Sequence, residues 1–229
     1  MSFYLQPIYH LSSVYIEALE PSLIDRVLIP YCPVDSIAKL TPDILAVVVG
    51  NYSAKTLSPT AGSFSVWKVY LRQSDPKVGK IADLTDAEFL NGSAAFDSHV
   101  VLIADSKLGV VFLLDTDTGK YGIVFDDETM KPVPGALVLI GINSVKTLGG
   151  YLYFTNTFAE ALVRVKVDCE TEKAAGPFDI MVKILSITDG FALAKDGTAF
   201  IGGSFSNVVI DISPQGVTNV NSSDVAGAI

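Results

Sequence analysis

The stretch from Phe89 to Asp115, FLNGSAAFDSHVVLIADSKLGVVFLLD, contains one complete unit of a pattern that recurs along the chain. A polar residue beside a small one, Asn91-Gly92, precedes a short apolar strand, a turn and a strongly apolar strand that ends in Ala-Asp-Ser. A second turn leads to another apolar strand, which closes with Asp-Thr-Asp-Thr-Gly. Short apolar runs bounded by turn residues are typical of β-strands. The stretch therefore predicts an antiparallel β unit.

The pattern returns in three further units, and its strong strands begin near Ala46, Val100, Tyr151 and Thr198. Their spacing of about 47 to 54 residues is close to the period of propeller blades. Four strands per unit with no helix between units is the arrangement of a β-propeller. The sequence therefore predicts an all-β propeller in one domain, with about four full blades and a partial one. The predicted units are a partial blade at 1–34, repeats at 35–84, 85–140, 141–185 and 186–220, and a tail at 221–229.

The composition limits the classes of function. Of the 229 residues, 49% are hydrophobic and 18% are charged, which predicts a substantial core and excludes global disorder. The net charge is -9 and no Lys/Arg cluster occurs, which argues against a nucleic-acid partner. The first residues lack the pattern of a secretory signal, and the longest apolar run, 44–50, is too short to span a bilayer. We expect no membrane partner and, for the chain as it stands, an intracellular location.

Single chemistry-bearing residues are few. Cys32 and Cys169 could form one disulfide, but two unpaired buried thiols are the favoured prediction. His99 is predicted to be a surface hairpin residue, and Trp67 a core residue. The segment 115–119 resembles part of a calcium loop, yet no glutamate follows at the required distance, so it is predicted to be a hairpin turn.

Four polar residues, here called the polar ring, head the first strand of each unit: Asp35, Asn91, Asn143 and Asp189. In a propeller the first strand of each blade lies nearest the central channel, so these residues should occupy equivalent positions around it. Two carboxylates and two carboxamides offer hard oxygen ligands, which suit Ca²⁺, Mg²⁺ or Mn²⁺. The alternative is that they are turn formers whose side chains cap local backbone groups.

Several segments together resemble the gluconolactonase/regucalcin-like six-bladed propellers, and in particular a fungal branch of that superfamily: GSFSVWKVYL, FLNGSAAF, VLIADSKLGVVFLLDTDTGKY, GYLYFTNT and TDGFALAKDG. In the metal-dependent lactonases of that family, a Glu, two Asn and an Asp hold the ion. The resemblance places Asn91, Asn143 and Asp189 on the last three positions. The Glu has no counterpart, and Asp35 stands where the family normally has a non-ligand residue.

The chain departs from the resemblance in length, because four blades and a fragment are evident where the family has six. An incomplete propeller leaves open strand edges, which must be covered, paired with another chain or closed by fewer blades; a homo-oligomer is one of the predicted ways of covering them.

The fungal branch implies a different activity, that of hetero-Diels–Alderases of tropolone–sesquiterpenoid biosynthesis. Such a cyclase needs no cofactor, because a cavity orients a quinone methide and a terpene alkene while polar groups stabilise developing charge. We predict a metal-independent cyclase acting on small hydrophobic substrates, with Asn91, Asn143 and Asp189 as catalytic residues. One alternative is a divalent-metal lactonase whose ion is held by these residues and Asp35. A non-catalytic binding propeller is the other alternative.

Overall fold

The computed structural model describes residues 34–53, 58–71, 76–136, 138–184, 187–203, 208–216 and 218–222. These residues form β-strands and turns with a single short 3₁₀ helix at Glu128–Met130, so the prediction of an all-β propeller is confirmed. None of the helical residues in these ranges could form a membrane span. The predicted partial blade, apart from Val34, lies outside the described residues, and so does Cys32.

The strands form four antiparallel sheets, each of four strands that follow one another along the chain. The first sheet has the order β1-β2-β5-β6, and the loop between its second and third strands carries a two-stranded hairpin. Its strands and those of the hairpin are β1 (Val34–Thr41), β2 (Ile44–Val49), β3 (Tyr52–Ser53), β4 (Ser58–Pro59), β5 (Phe64–Tyr70) and β6 (Lys77–Leu84).

The other three sheets repeat this order without the hairpin. The second sheet contains β7 (Leu90–Ala95), β8 (Val100–Asp105), β9 (Val110–Asp115) and β10 (Tyr121–Asp126). The third contains β11 (Ile142–Leu148), β12 (Tyr151–Asn156), β13 (Ala161–Val167) and β14 (Ala174–Lys183). The fourth contains β15 (Thr188–Leu193), β16 (Ala199–Gly203), β17 (Val208–Ile212) and β18 (Thr218–Ser222). The last two residues of β18 fall in the segment that was predicted to be a tail.

The core lies between the faces of successive sheets. Side chains of a strand point alternately to its two faces, so β8 sends Val101 and Ile103 towards the first sheet and Leu102 and Ala104 towards the third. All six residues of β8 are buried because both faces are covered. This explains why the strand is continuously apolar instead of alternating.

Isolated residues mostly take the predicted roles. His99 is on the surface with 62% of its side chain exposed, and the turn at 115–119 connects β9 to β10. Trp67 is half-buried and packs on the face of the first sheet that carries Val47 and Val49. The prediction of a buried thiol is wrong for Cys169, which is free but exposed, because it lies in the turn between β13 and β14.

The register slips at the start of the first strand in every sheet. In the first sheet, Val34 pairs with Val49 but Ser36 pairs with Val48, which leaves Asp35 as an extra residue. The corresponding slips in the other sheets enclose Asn91-Gly92, Asn143-Ser144 and Asp189-Gly190. An extra residue of this kind is a β-bulge, which bends the strand and redirects its side chains. Each member of the polar ring therefore lies in a bulge.

Gly92 lets two of these bulges approach each other. A methyl group on Gly92 would lie 2.5 Å from the carbonyl oxygen of Asn143 and 2.6 Å from Cα of Ser144. Both partners belong to the backbone of β11, so no side-chain rotation relieves such a clash. Gly122 in the outer strand β10 provides a contrast, because a methyl group there would meet no atom within 4 Å.

We expect Gly92→Ala to lower the free energy of unfolding by about 1–3 kcal/mol, the usual cost of overpacking. Gly122→Ala is the matched control, and should be neutral or stabilising by up to about 1 kcal/mol because alanine restricts the unfolded chain. Urea unfolding of both variants measures the difference. Equal stabilities for the two variants would contradict the close contact between β7 and β11.

Candidate functional site

The polar ring occupies one equivalent position in each sheet. Asp35, Asn91, Asn143 and Asp189 are the second residues of β1, β7, β11 and β15. These are the first strands of the four sheets, and β7 contacts both β1 and β11, while β11 contacts β15. The fold therefore lines the four polar residues along adjoining strands, each redirected by a bulge.

Asn143 and Asp189 are neighbouring members of the polar ring, and their side chains interact. Asn143 is buried, and its Nδ2 donates a hydrogen bond of 2.9 Å to Oγ1 of Thr157. Its side chain also lies close enough to the carboxyl group of Asp189 to lower the pKa of that group. Burial raises the pKa of Asp189 above its ordinary value, although the hydrogen bonds from Asn143 and from the backbone of Gly190 oppose the rise. The pair thus combines a desolvated carboxyl group with a carboxamide that stabilises its charge.

The backbone around this pair is held by a threonine of the neighbouring strand. Oγ1 of Thr155 donates a hydrogen bond of 3.0 Å to the carbonyl oxygen of Asp189, and it accepts one of 3.3 Å from the backbone N–H of Ser144. Thr155 is fully buried. The bulges of β11 and β15 are therefore joined through one side chain of β12, which fixes their relative position.

Asp35 has a different environment, in which the described residues supply no group that compensates for burial. Its Oδ2 atom is buried and has no hydrogen-bond partner among the described residues. Burial raises the pKa of Asp35 from 3.8 to about 8. A carboxyl group in this state holds its proton at neutral pH, and its charged form would be stabilised by a cation.

Asn91 is half-buried, and no hydrogen bond within the described ranges joins it or Asp35 to the Asn143–Asp189 pair. The neighbouring residues do connect β1 to β7, because the hydroxyl groups of Ser36 and Ser93 are 2.8 Å apart. The structure thus brings one pair of predicted site residues into contact and places the other two at matching positions on adjoining strands.

The donor set suits a hard cation by chemistry but is poor in charge. In the described parts of the chain, no three His, Cys, Asp or Glu side chains come close enough together to hold a metal ion. A cation at this site would therefore depend on amide oxygens as well as on carboxylates. Oδ2 of Asp35, which has no hydrogen-bond partner in the described parts of the chain, would be one of the carboxylate ligands.

Two buried polar residues near the site have structural roles instead. Asp105, at the end of β8, accepts hydrogen bonds from the backbone N–H groups of Glu88 and Leu108, at 2.7 and 2.9 Å. Asn156, at the end of β12, donates bonds of 2.9 Å to the carbonyl oxygens of Thr129 and Lys131. Both side chains tie the turn of their own sheet to the connection from the preceding one.

Lys146, which lies half-buried on β11 three residues after Asn143, is not indicated as a site residue by any sequence pattern. It pairs with Tyr153 across the hairpin, and burial lowers the pKa of its amino group. Its neighbours in the segment SVKTL give no signal of burial, because a lysine in an alternating strand is normally on the solvent side.

Comparison with known proteins identifies the fold. No family model matches the chain, and a search of curated proteins finds no relative. Among solved structures, the chain is similar to regucalcin from Agrobacterium tumefaciens strain C58, with a TM-score of 0.57 and 16% identity over 82% of this chain and 59% of that one. It is also similar to the periplasmic gluconolactonase of Pseudomonas aeruginosa, with a TM-score of 0.60 and 16% identity over 85% and 59% of the two chains.

A third similar structure is a chain of a nidogen/laminin complex, with a TM-score of 0.62 and 14% identity over 86% of this chain and 68% of the other. This chain therefore spans about three fifths of the regucalcin and gluconolactonase chains. Identities this low carry information about the fold and none about the activity. The chain has the β-propeller fold of the gluconolactonase-like type.

Proposed function

We propose that the polar ring binds a divalent cation and that the protein hydrolyses a small lactone or related ester. The observation that carries the proposal is the buried Oδ2 of Asp35, which has no partner among the described residues although its ionisation would require one. Asp189 has a raised pKa for the same reason, desolvation by burial. Asp35 and Asp189 are thus two desolvated carboxyl groups at equivalent positions on the first strands β1 and β15, and a divalent cation would stabilise groups of this kind.

The amides complete the proposed site. An ionised carboxylate only accepts hydrogen bonds, so Asn143 donates to Asp189 through Nδ2, the same atom that donates to Thr157. This leaves the amide oxygen of Asn143 as its ligand atom. Asn91 offers a second amide oxygen from the equivalent bulge on β7.

A bound divalent cation would polarise the acyl carbonyl and lower the pKa of the attacking water. The residues of the chain would supply the remaining steps. The side chain of Asp189, held by Asn143, would accept the proton of the attacking water and then pass this proton to the ring oxygen that leaves the acyl carbon. Water adds across the acyl C–O bond in this reaction, so the product is a hydroxy acid.

The raised pKa of Asp35 leads to a prediction about stability. The folded-state pKa of about 8 exceeds the ordinary value of 3.8, so the protein should lose stability as pH rises between these values in the presence of a chelator. The loss should approach about 1.4 kcal/mol per pH unit within that window. Asp35→Asn should remove this pH dependence. The free energy of unfolding of the variant should therefore increase relative to that of the wild type from pH 4 to pH 8, and the difference should stay constant above pH 8.

Thermal unfolding at intervals of pH measures this effect. The exposed Asp86→Asn is the matched control, since it removes the same charge from the surface. If stability depends on pH in the same way in Asp35→Asn, in Asp86→Asn and in the wild type, then Asp35 ionises as freely in the folded state as in the unfolded one and the prediction is wrong.

Cation binding predicts a second pH effect, of opposite sign. Protons compete with the cation for Asp35 and Asp189, so Ca²⁺ or Mn²⁺ should raise the unfolding temperature more at pH 8 than at pH 5. At a concentration one hundred times the Kd, the gain in stability is about 2.7 kcal/mol. Asp189→Asn should abolish the gain and Asp86→Asn should keep it. Elemental analysis of protein purified without chelator gives an independent measurement, and equal metal content in the wild type and in Asp189→Asn would contradict the site.

A second candidate function is the metal-independent cyclase. The observation that favours it is again Asp35, because a carboxyl group that keeps its proton below pH 8 can donate a hydrogen bond to a carbonyl oxygen. Such a donor would stabilise the negative charge that develops on a quinone methide as it reacts with a terpene alkene.

The two activities respond oppositely to pH and to chelator. The rate of hydrolysis of a δ-lactone should rise as pH increases towards 8 and should fall to zero on addition of chelator. In Asp189→Asn the rate should fall by about two orders of magnitude or more, which is a typical loss for a group that contributes general-base catalysis. Cycloaddition should be indifferent to chelator, fall above pH 8 as Asp35 ionises, and give the product ratio of plain buffer in Asp35→Asn. A lactonase rate unchanged by chelator would contradict the first proposal. If neither activity is detected, the third prediction, a non-catalytic binding propeller, is favoured.

A further inference from the structure

Two clefts open at the outer rim of the propeller, far along the sheets from the first strands. The first rim cleft has a volume of about 300 Å³ and lies between the first and second sheets, where it is lined by Lys68, Thr116 and Asp117. The second rim cleft has a volume of about 270 Å³ and lies between the third and fourth sheets, where Arg164 and Pro214 line it. Each cleft has a basic residue on the third strand of one sheet and a turn from the next sheet facing it.

The two clefts are structurally equivalent. In the first, Gly119 of the turn has a φ of 72°, and a methyl group on it would lie 2.9 Å from the carbonyl oxygen of Ile81. In the second, Gly216 has a φ of 81°, and a methyl group on it would lie 3.0 Å from the carbonyl oxygen of Met181. In each cleft a glycine of positive φ, in the turn between the third and fourth strands, therefore packs on the corresponding residue of the preceding sheet's fourth strand. Counting back two residues from each glycine, Asp117 corresponds to Pro214.

In the first rim cleft, the turn supplies a carboxylate to the basic residue. Oδ1 of Asp117 accepts a hydrogen bond of 2.9 Å from Nζ of Lys68, and its Oδ2 is 2.6 Å from Nδ1 of His99. These two partners lower the pKa of Asp117. The amino group of Lys68 in this cleft is thus paired with a carboxylate of the same chain.

In the second rim cleft, the corresponding turn residue is a proline, which has no carboxylate. Arg164 is left with Asp179, whose Oδ2 is 3.8 Å from Nε and therefore outside hydrogen-bonding distance. Nε is buried and has no hydrogen-bond partner among the described residues. The guanidinium carbon lies 5.5 Å from the centre of the Tyr151 ring, so the group is positioned by a cation–π contact. A buried guanidinium N–H without an acceptor is costly, because a charged donor loses its hydration.

We propose that the second rim cleft binds the carboxylate of a small external ligand, which takes the place that the Asp117 carboxylate has in the first. Arg164 presents a planar set of donors that matches a carboxylate. The cleft is also lined by Ile180, which is 48% exposed, and by Met181, so the ligand carries a short apolar tail. A volume of about 270 Å³ suits a molecule of this size.

The carboxylate is carried either by a simple organic acid or by an amino acid. Asp179 distinguishes these sources, because its carboxylate lies beside Arg164 and would pair with an ammonium group. Isovalerate and leucine share the same apolar tail and differ in that group, so they serve as the two probes.

The test is a titration of the ¹⁵N-labelled full chain with each probe, followed by NMR and matched for ionic strength with NaCl. We expect saturable shifts in β13, β14 and the turn before β18, with a Kd on the order of millimolar, as for a single exposed charge pair. Arg164→Gln should weaken binding by about tenfold or more, since a hydrogen bond to a charged group is lost. Lys68→Gln, in the first rim cleft, should leave binding unchanged. If leucine binds more tightly than isovalerate, the ligand is an amino acid whose ammonium group pairs with Asp179. If the two probes bind equally, the ligand is a simple organic acid.

A second variant tests the equivalence of the two clefts directly. Pro214→Asp places a carboxylate where Asp117 stands in the first rim cleft, so it should pair with Arg164, raise the unfolding temperature and prevent binding of both probes. Shifts that are the same in the wild type, in Arg164→Gln and in Pro214→Asp would overturn the proposal. The proposal would also be overturned if the wild type shows no saturable shifts up to a probe concentration on the order of 50 mM, which is about 50-fold the expected Kd.

Discussion

The close approach of neighbouring first strands is the constraint on which the site depends. At the bulge of β7, Gly92 lies so near the backbone of Asn143 and Ser144 that a methyl group would overlap it. The bulge redirects the polar side chain, and the glycine beside it removes the side chain that would hold the sheets apart. A polar residue next to a small one therefore has two separate functions. The first residue is placed at the site, and the second permits the packing that places it.

Burial at this position determines the electrostatics. The same packing that excludes water from the core desolvates Asp35 and Asp189, which raises the pKa of both. Asp189 is partly compensated by Asn143, whereas Oδ2 of Asp35 has no described partner. A proton or a cation can supply the missing charge. The competition between these two explains why one arrangement supports both the hydrolase and the cyclase proposals, and why pH and chelator separate them.

The repeat also provides an internal comparison at the rim. Lys68 and Arg164 occupy corresponding places in two sheets, and the turns that face them differ at Asp117 and Pro214. The two turns are placed alike, because the glycine of each packs on the corresponding carbonyl oxygen of the preceding sheet. The turn supplies a carboxylate to the basic residue in one cleft, whereas in the other Arg164 has only the longer ion pair with Asp179, and its Nε has no hydrogen-bond partner among the described residues. Differences between repeats of one chain thus indicate where a ligand could bind.

The sequence by itself determined the all-β class, the repeat and the position of the polar ring, because apolar runs and turn residues are local signals with a fixed period. It predicted β8 as a strong strand and 115–119 as a turn for the same reason. It predicted neither the bulges nor the partial burial of Lys146, and it was wrong about Cys169, because register and exposure depend on the next sheet rather than on neighbours in the chain. Only the tertiary structure decided which polar groups meet, because Asn143 of the third sheet and Asp189 of the fourth are brought together by the packing of one sheet on the next. This contact distinguishes Asn143 and Asp189, which interact, from Asp35 and Asn91, which stand apart from that pair.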